Sequence, residues 1–235
     1  MLQLRTKETL DRGDHGWLKA RHHFVVSATG NAANSPLGAL VVWNDDEIAP
    51  NSGFGRHSHA DIEIVTYVRQ GVVTHEDSSG NVGHILAGLA GDVQVMSAGT
   101  GISHSERNSE DDPLKIFQIW LLPRQRGGAP RWDSRGFPKA DRAGRLIALA
   151  SGYPKDADAL QIRADARVLG ATLFAGTTVT HVQDRFRHAY LAPAQGVIFV
   201  NGQRVAVGDG VAAIDEPELT ITAEEDAEFV LVTSA

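Results

Sequence analysis

Residues 56–106 read RHSHADIEIVTYVRQGVVTHEDSSGNVGHILAGLAGDVQVMSAGTGISHSE. This stretch opens with His57 and His59 and closes with His104 and Glu106, so each end carries two potential metal ligands one residue apart. In a β-strand, residues i and i+2 point to the same face of the sheet. Two such strands lying side by side would therefore offer three imidazoles and one carboxylate to a single cation.

The residues between the two ligand pairs have the pattern of a β-meander. Runs of β-branched and aromatic residues alternate with turn clusters, one at 77–81 and a further one expected at 88–92. Such a meander suits a small antiparallel barrel or jelly roll with the ligands at its mouth. A second series of short apolar runs, including 178–182 and 197–200, follows in the second half of the chain. The sequence therefore predicts an all-β protein built from two similar halves.

The spacing of these runs also predicts domain boundaries. Residues 1–123 are expected to form an N-terminal metal-binding domain, and residues 144–235 a degenerate C-terminal domain without metal, because the second half lacks both ligand patterns. Residues 124–143 are rich in Arg, Gly and Pro and are expected to be a linker across the surface. Near the N-terminus, residues 11–16 are expected to form a polar turn.

Composition excludes several classes of protein. The chain has no cysteine, which excludes disulfides and thiolate metal sites and fits a reducing, cytoplasmic location. It contains no apolar run of the roughly 20 residues that a membrane helix needs. Its net charge of −7 argues against non-specific binding to nucleic acid or to an anionic membrane. We therefore expect no membrane partner and no direct nucleic-acid partner.

The predicted site has nitrogen and oxygen ligands only. Such a set suits iron(II), manganese, nickel, cobalt, copper or zinc. Four protein ligands on a six-coordinate ion leave about two open positions, as in catalytic rather than structural sites. Glu63 has the same parity as His57 and His59, so an unbroken strand would place it on the ligand face. It could be a ligand in place of Glu106, or a hydrogen-bond partner of the ligands.

Several stretches of the chain resemble the pirin family, within the cupin superfamily. The resemblance covers the first half densely and in order. The second half resembles, more weakly, the C-terminal cupin of bacterial pirin-like quercetinases. The stretches that carry it lie at 15–18, 21–22, 42–46, 53–63, 75–81, 91–106 and 118–120.

The resemblance implies a bicupin monomer with two β-barrels face to face and a metal only in the N-terminal barrel. The family's ligands fall on His57, His59, His104 and Glu106, which leaves Glu63 as a neighbour of the ligands. The family's usual metal implies iron(II) as the cofactor here.

The resemblance also implies an activity, quercetin 2,3-dioxygenase, which opens the heterocycle of a flavonol with O2 and releases carbon monoxide. In this hypothesis Glu106 takes the proton of the substrate hydroxyl, assisted by Glu63 or a water. Phe54, Met96 and Ile102 are then candidates for the apolar wall that a planar aromatic substrate needs. Flavonol, or another phenolic compound, and O2 are the expected small-molecule partners.

Two other functions fit the same residues. One is a pirin-type regulatory protein whose metal or redox state controls binding to a transcription factor or a metabolic enzyme. In that case acidic runs such as 110–112 and 224–226 could meet a basic partner, although charge runs are usually solvated faces. The other is a sugar-binding or structural cupin with an incidental metal. Fold and family do not fix a substrate, so the sequence leaves these alternatives open.

Overall fold

Nearly all regular structure in the computed structural model is β-strand. It describes residues 1–26, 30–86, 91–183 and 187–235, so the turn expected at 88–92 lies mostly outside the described residues. The strands of the first part of the chain are β1 (Leu2–Arg5), β2 (Asp11–Asp14), β3 (Leu18–His22), β4 (Leu40–Ile48), β5 (Ser52–His59), β6 (Glu63–Gln70), β7 (Val72–Asp77), β8 (Val82–Leu86), β9 (Val93–Ser97), β10 (Ile102–Asn108), β11 (Leu114–Leu121) and β12 (Arg131–Arg135).

The second part of the chain continues in the same way. Its strands are β13 (Ile147–Ser151), β14 (Leu160–Gln161), β15 (Ala166–Leu173), β16 (Thr178–Val182), β17 (His188–Gln195), β18 (Val197–Val200), β19 (Gln203–Ala206), β20 (Gly210–Ile214), β21 (Glu218–Ala223) and β22 (Ala227–Ser234). Two short 3₁₀ helices lie at Ala32–Asn34 and Lys139–Arg142. Within the described ranges, no helix has the length and apolar character needed to cross a membrane.

The strands form two sandwiches, each with a seven-stranded and a four-stranded sheet. The first has the orders β12-β9-β6-β11-β4-β3-β2 and β5-β10-β7-β8. The second has the orders β1-β20-β17-β22-β15-β13-β14 and β16-β21-β18-β19. Apart from the short parallel pair β13–β14, the strand pairs of these sheets are antiparallel. These two antiparallel β-sandwiches confirm the predicted all-β fold of two β-domains in one chain.

The two sandwiches share a hydrophobic core, built from the outer faces of their large sheets. Along β6, Val65 and Tyr67 belong to this shared core, whereas Val68 belongs to a separate core inside the first sandwich. This is the two-residue period of a strand buried on both faces. Trp43 is fully buried at the centre, and its ring centroid lies 5.2 Å from Phe117 and 5.3 Å from Tyr190 of the other sandwich.

The structure differs from the predicted domain boundaries in two places. Strand β1 pairs with β20, so the first residues of the chain belong to the sheet of the second sandwich. Strand β12 pairs with β9, so part of the expected linker 124–143 is an edge strand of the first sandwich. The predicted polar turn at 11–16 was also wrong over most of its length, because β2 pairs with β3 there. All three are edge strands. β2 and β12 consist largely of solvent-facing or polar residues without clear hydrophobic alternation, whereas Leu2 and Leu4 of β1 pack against the core of the second sandwich.

One histidine is buried at the contact between the sandwiches. His23 is fully buried, and its Nδ1 lies 2.7 Å from the hydroxyl of Tyr190 on β17. Burial, reinforced by the positive charges of Arg5 and Arg69, lowers the pKa of His23 from 6.5 to about 3. His23 therefore stays neutral in the folded protein throughout the mildly acidic range.

This burial predicts that acid destabilises the protein through His23. Between pH 6.5 and 3 the unfolded chain binds a proton at this residue that the folded chain does not. The contribution of His23 to the free energy of unfolding is thus complete above pH 6.5 and declines as the pH falls. From about pH 6.5 to about pH 5 the loss is roughly 2 kcal/mol.

Urea denaturation of the wild type and of His23→Asn at both pH values measures this loss. Asparagine keeps a polar group near Tyr190 but cannot titrate, and every other histidine contributes equally to both proteins. The wild type should lose about 2 kcal/mol more than the variant on acidification. Equal losses in the two proteins would contradict the assignment.

Candidate metal centre

Two neighbouring strands bring three histidines together. Strands β5 and β10 are antiparallel with His104 opposite His57, and His59 follows two residues after His57 on the same face. The ring centroids lie 4.5 Å apart for His57 and His104, 4.7 Å for His57 and His59, and 5.1 Å for His59 and His104. One nitrogen of each ring lies within 4.8 Å of the others. The spacing-based prediction of a shared histidine face is thus matched by the geometry.

The imidazoles are in a state that suits metal binding. Nδ1 of His57 lies 2.8 Å from the carbonyl oxygen of Gly55, so its N–H donates there and Nε2 keeps its lone pair. That Nε2 lies 3.1 Å from Nε2 of His104, while the buried Nε2 of His59 has no hydrogen-bond partner among the described residues. Burial lowers the pKa of His59 to about 4 and that of His104 to about 3, and neighbouring imidazoles add to both effects. Three converging imidazoles, with His59 and His104 kept neutral by burial, fit a divalent transition metal.

Glu106 lies two residues beyond His104, at an irregularity in the strand. The pairing of β10 with β5 shifts register between His104 and Glu106, so Glu106 faces Phe54 rather than Gly55. Its side chain is 2% exposed. Glu106 groups with His75 and His104 in a second cluster of potential ligand atoms. His104 is therefore the shared member of two overlapping clusters, and the expected four-residue set is divided between them.

The carboxylate of Glu106 accepts three hydrogen bonds from side chains of the large sheet. The donors are the hydroxyl of Thr66 at 3.2 Å, the amide of Gln118 at 2.7 Å and the amide of Gln94. These donors come from three neighbouring strands, β6, β11 and β9. The seven-stranded sheet that faces β10 consequently holds the carboxylate in one orientation.

Two tryptophans fix which way the glutamine amides face. The indole N–H of Trp132 donates to Oε1 of Gln94 at 2.9 Å, and that of Trp120 donates to Oε1 of Gln118 at 3.2 Å. Because each amide oxygen accepts an indole proton, each amide NH2 is left to face Glu106. Trp120 also meets the ring of His59 edge-on at 5.0 Å, and Trp132 stacks on His75 at 5.0 Å. The tryptophans thus link the two histidine clusters to the Glu106 network.

Sequence reasoning assigned no role to these hydrogen-bond partners. Gln118 and Trp120 lie within the stretches that carry the family resemblance, which was the available signal for them. Trp132 lies in the expected linker and gave no such signal.

The first sandwich also encloses a second buried carboxyl group near Glu106. Asp46 is 1% exposed and pairs across the sheet with Ala20 and Ile116, which belong to the inner core. Neither of its oxygens has a partner among the described side chains. Burial, together with the charges of Asp45 and Glu106, raises the pKa of Asp46 to about 8. Burial likewise raises the pKa of Glu106 to about 7, although its three hydrogen bonds oppose the rise.

Glu63 does not lie on a continuation of the ligand strand, so the parity argument for it was wrong. β5 ends at His59, and Asp61, with φ of 53°, turns the chain before β6 begins at Glu63 in the other sheet. The Glu63 carboxylate accepts hydrogen bonds from the Ser97 hydroxyl at 2.6 Å and from the backbone N–H of Arg163 at 2.9 Å. It belongs to neither potential-ligand cluster and ties the first sandwich to the second. Its expected catalytic role remains a prediction without a supporting contact.

The three residues expected to wall a substrate pocket lie in two places. Phe54 is partly buried beside the site, with its ring 6.3 Å from that of His57 and edge-on to Trp17 at 5.1 Å. Met96 and Ile102 are each 3% exposed and belong to a small apolar cluster against which Trp120 and Trp132 pack. Phe54 is thus the member of the set with accessible surface next to a histidine. The pocket assignment itself stays a prediction.

Comparison with known proteins identifies the family. Residues 3–121 match the Pirin family model, and residues 148–233 match the model described as a quercetinase C-terminal cupin domain. A pirin-like protein of Caulobacter vibrioides is 55% identical over the full length of both chains. The chain belongs to the pirin family. The resemblance seen in the sequence is therefore confirmed.

Two comparisons with Escherichia coli proteins concern the site of this pirin. A protein named quercetin 2,3-dioxygenase is 35% identical over 98% of this chain and 97% of its own length. The crystal structure of the bacterial pirin YhhW in complex with nickel(II) has a TM-score of 0.91 and 33% identity, and covers 100% of this chain and 99% of that one. This pirin therefore shares its two-domain fold with a protein whose structure was determined with a metal ion.

Proposed function

We propose that the protein is a metal-dependent dioxygenase that opens the heterocycle of a flavonol such as quercetin with O2 and releases carbon monoxide. The observation that carries the proposal is the cluster of converging imidazoles at His57, His59 and His104. The name of the Escherichia coli relative and the match to a quercetinase C-terminal cupin domain support the choice of reaction.

We further propose that His57, His59, His104 and Glu106 hold one divalent transition metal, with iron(II) as the expected ion. Nickel(II) is a direct competitor, because the Escherichia coli pirin structure contains it. When bound, the ion would act as a Lewis acid that stabilises the enolate oxygen of the substrate. The other contributions to the reaction come from side chains of this chain.

Glu106 is the proposed proton acceptor for the 3-hydroxyl group of the flavonol. A positioned carboxylate can act as a general base, and Glu106 is buried with both oxygens facing hydrogen-bond donors. The amides of Gln94 and Gln118 can only donate to it, because the indole N–H groups of Trp132 and Trp120 occupy their oxygens. They orient the carboxylate, while Phe54 offers an apolar face beside His57.

The test is oxygen uptake with quercetin by anaerobically purified protein that has been reloaded with iron(II), nickel, cobalt, manganese or copper in turn. Metal content is measured on the same samples, and carbon monoxide is detected in the headspace. Uptake that follows one stoichiometric metal, with carbon monoxide released, is the expected result. Stoichiometric metal without uptake would overturn quercetin as the substrate and favour the regulatory function or another ligand.

Glu106→Gln separates the proton-transfer role from metal loading. The variant is expected to lower kcat by about 100-fold or more, the range usual for a positioned acid or base. A glutamine would also present an amide to the donors of Gln94 and Gln118. Glu76→Gln is the matched control, because Glu76 is exposed on the neighbouring strand β7. Unchanged kcat in a metal-loaded Glu106→Gln would contradict the assigned role.

A further inference from the structure

We propose that a cavity at the junction of the two sandwiches binds a small molecule with two or more negative charges, carried by phosphate or carboxylate groups. This junction cavity has a volume of about 540 Å³. Strands β2, β3, β4, β6 and β11 of the first sandwich line it. Lys7 and the turn at Val207 and Gly208, between β19 and β20 of the second sandwich, complete the lining. Its size lies within the range of small-molecule sites.

The junction cavity is locally positive in a chain of net charge −7. Its lining has three acidic residues, Asp14, Asp45 and Glu47, against six basic ones, which are Lys7, Arg12, Lys19, Arg21, Arg69 and Lys115. Walls of low dielectric focus such a field into a cleft and attract anions. An excess of three positive charges matches a ligand with at least two negative ones.

The acidic residues of the lining already have partners. Asp45 pairs with Arg69, Asp14 accepts the backbone N–H of Gly16 at 2.9 Å, and Glu47 lies 3.7 Å from both Lys19 and Lys115. Arg21, in contrast, forms no ion pair within the described part of the chain. Its buried Nε also has no hydrogen-bond partner there. The cavity therefore keeps a guanidinium available for a ligand.

One cationic group of the junction cavity is held rigidly. The side chain of Arg69 is 9% exposed, and its guanidinium pairs with Asp45 while lying 4.5 Å from the centroid of the Phe117 ring. The opposite wall is also fixed, because the backbone N–H of Lys7 donates to Asp209 at 2.9 Å and Arg12 donates to the Lys7 carbonyl at 3.1 Å. Preorganised donors lose little conformational entropy when they bind an anion.

The junction cavity is separate from the histidine clusters. On β6, Arg69 lies over the ring of Phe117, which belongs to the shared core on the outer face, whereas Thr66 donates to Glu106 on the inner face. The two side chains are therefore on opposite faces of the sheet. On β11, Lys115 and Gln118 are related in the same way. A ligand in the junction cavity would therefore bind to the outer face of the sheet whose inner face supports Glu106, and the inference does not depend on the proposed dioxygenase activity.

The chain contains a matched control cavity. It has a volume of about 530 Å³ and is lined by three basic and three acidic residues, which are Arg135, Arg145, Lys155, Asp141, Asp156 and Asp158. Because its charges balance, it should not select anions. Arg145→Ala in the control cavity and Arg21→Ala in the junction cavity remove the same group from cavities of similar size.

Isothermal titration calorimetry of the full chain with inorganic phosphate and with succinate tests the proposal. Both probes carry about two negative charges in mildly alkaline buffer. Metal content is measured before and after each titration. We expect salt-sensitive binding that weakens about tenfold in Arg21→Ala and is unchanged in Arg145→Ala. Lys115→Ala, on an exposed side chain, gives a second test if Arg21→Ala fails to fold.

Each outcome has a defined meaning. Binding of phosphate alone supports a phosphorylated ligand, binding of succinate alone supports a polycarboxylate, and binding of both supports recognition by charge. If neither phosphate nor succinate binds, the proposal is overturned. Equal weakening in Arg21→Ala and Arg145→Ala also overturns it, because the effect would then not belong to the junction cavity.

Discussion

His59→Gln is expected to lose stoichiometric metal, whereas His75→Gln keeps one metal ion per chain. Two overlapping clusters of potential ligands share His104, one with His57 and His59 and the other with His75 and Glu106. Substitution of His104 would empty either cluster and cannot tell them apart. Substitution of His59 or His75, each of which belongs to one cluster, can tell the clusters apart. The expected loss of metal affinity in His59→Gln is more than about 100-fold, which exceeds the cost of losing an outer partner of a metal ligand.

His75 has contacts of its own beside the two clusters. Its Nε2 lies 3.3 Å from Oδ2 of Asp77, and its ring stacks on Trp132. Asp77 in turn accepts from the side chain of Asn81 at 2.8 Å, which holds it in place. Because His75 lies outside the proposed ligand set, its loss should weaken metal binding only by about 10- to 100-fold, the cost of losing an outer partner of a metal ligand.

Metal counting after gel filtration, followed by competition with a chromophoric chelator, measures both effects. Glutamine keeps much of the volume of either histidine side chain, and thermal unfolding of both variants controls for loss of fold. The reverse pattern, with metal kept in His59→Gln and lost in His75→Gln, would place the ion between His75, His104 and Glu106. The four-residue ligand set proposed above would then be wrong.

The parts of this site that the sequence predicts are those set by local geometry. The two-residue period of a strand is enough to place His57 and His59 on one face, and it also locates strands such as 178–182 and 197–200. The same rule failed at Glu63, because a single turn at Asp61 breaks the period between the two strands. Periodicity is reliable within one strand and carries no information across a turn.

The remaining features depend on contacts between distant residues. Trp132 donates to Gln94, which lies 38 residues earlier, from an edge strand whose own residues are mostly exposed. β1 pairs with β20 across most of the chain. The local sequence pattern predicts neither the partner of an edge strand nor the environment of a buried carboxyl group such as that of Asp46. Both emerge only when the two sheets of a sandwich are assembled.

The second large effect is expected from Trp43→Ala, which should lower the free energy of unfolding by about 3–5 kcal/mol. Trp43 is fully buried in the core that both sandwiches share, between Phe117 and Tyr190. Its removal deletes the largest buried apolar side chain and leaves a cavity that a rigid pair of sheets cannot close. Trp17→Ala is the matched control, because Trp17 is partly exposed and packs on Phe54 outside the shared core, so a smaller loss is expected.

Urea unfolding of the metal-free proteins, followed by far-UV circular dichroism, measures both losses without relying on tryptophan fluorescence. If the shared core couples the sandwiches, the wild type unfolds in one transition. Trp43→Ala then lowers the urea concentration at the midpoint and still unfolds in one transition. A loss below about 1 kcal/mol in Trp43→Ala would contradict a central role for this residue. Two separate transitions in the wild type would show that each sandwich is stable alone. The position of β1 in the sheet of the second sandwich argues against that result, because the chain must cross between the sandwiches immediately after its first strand.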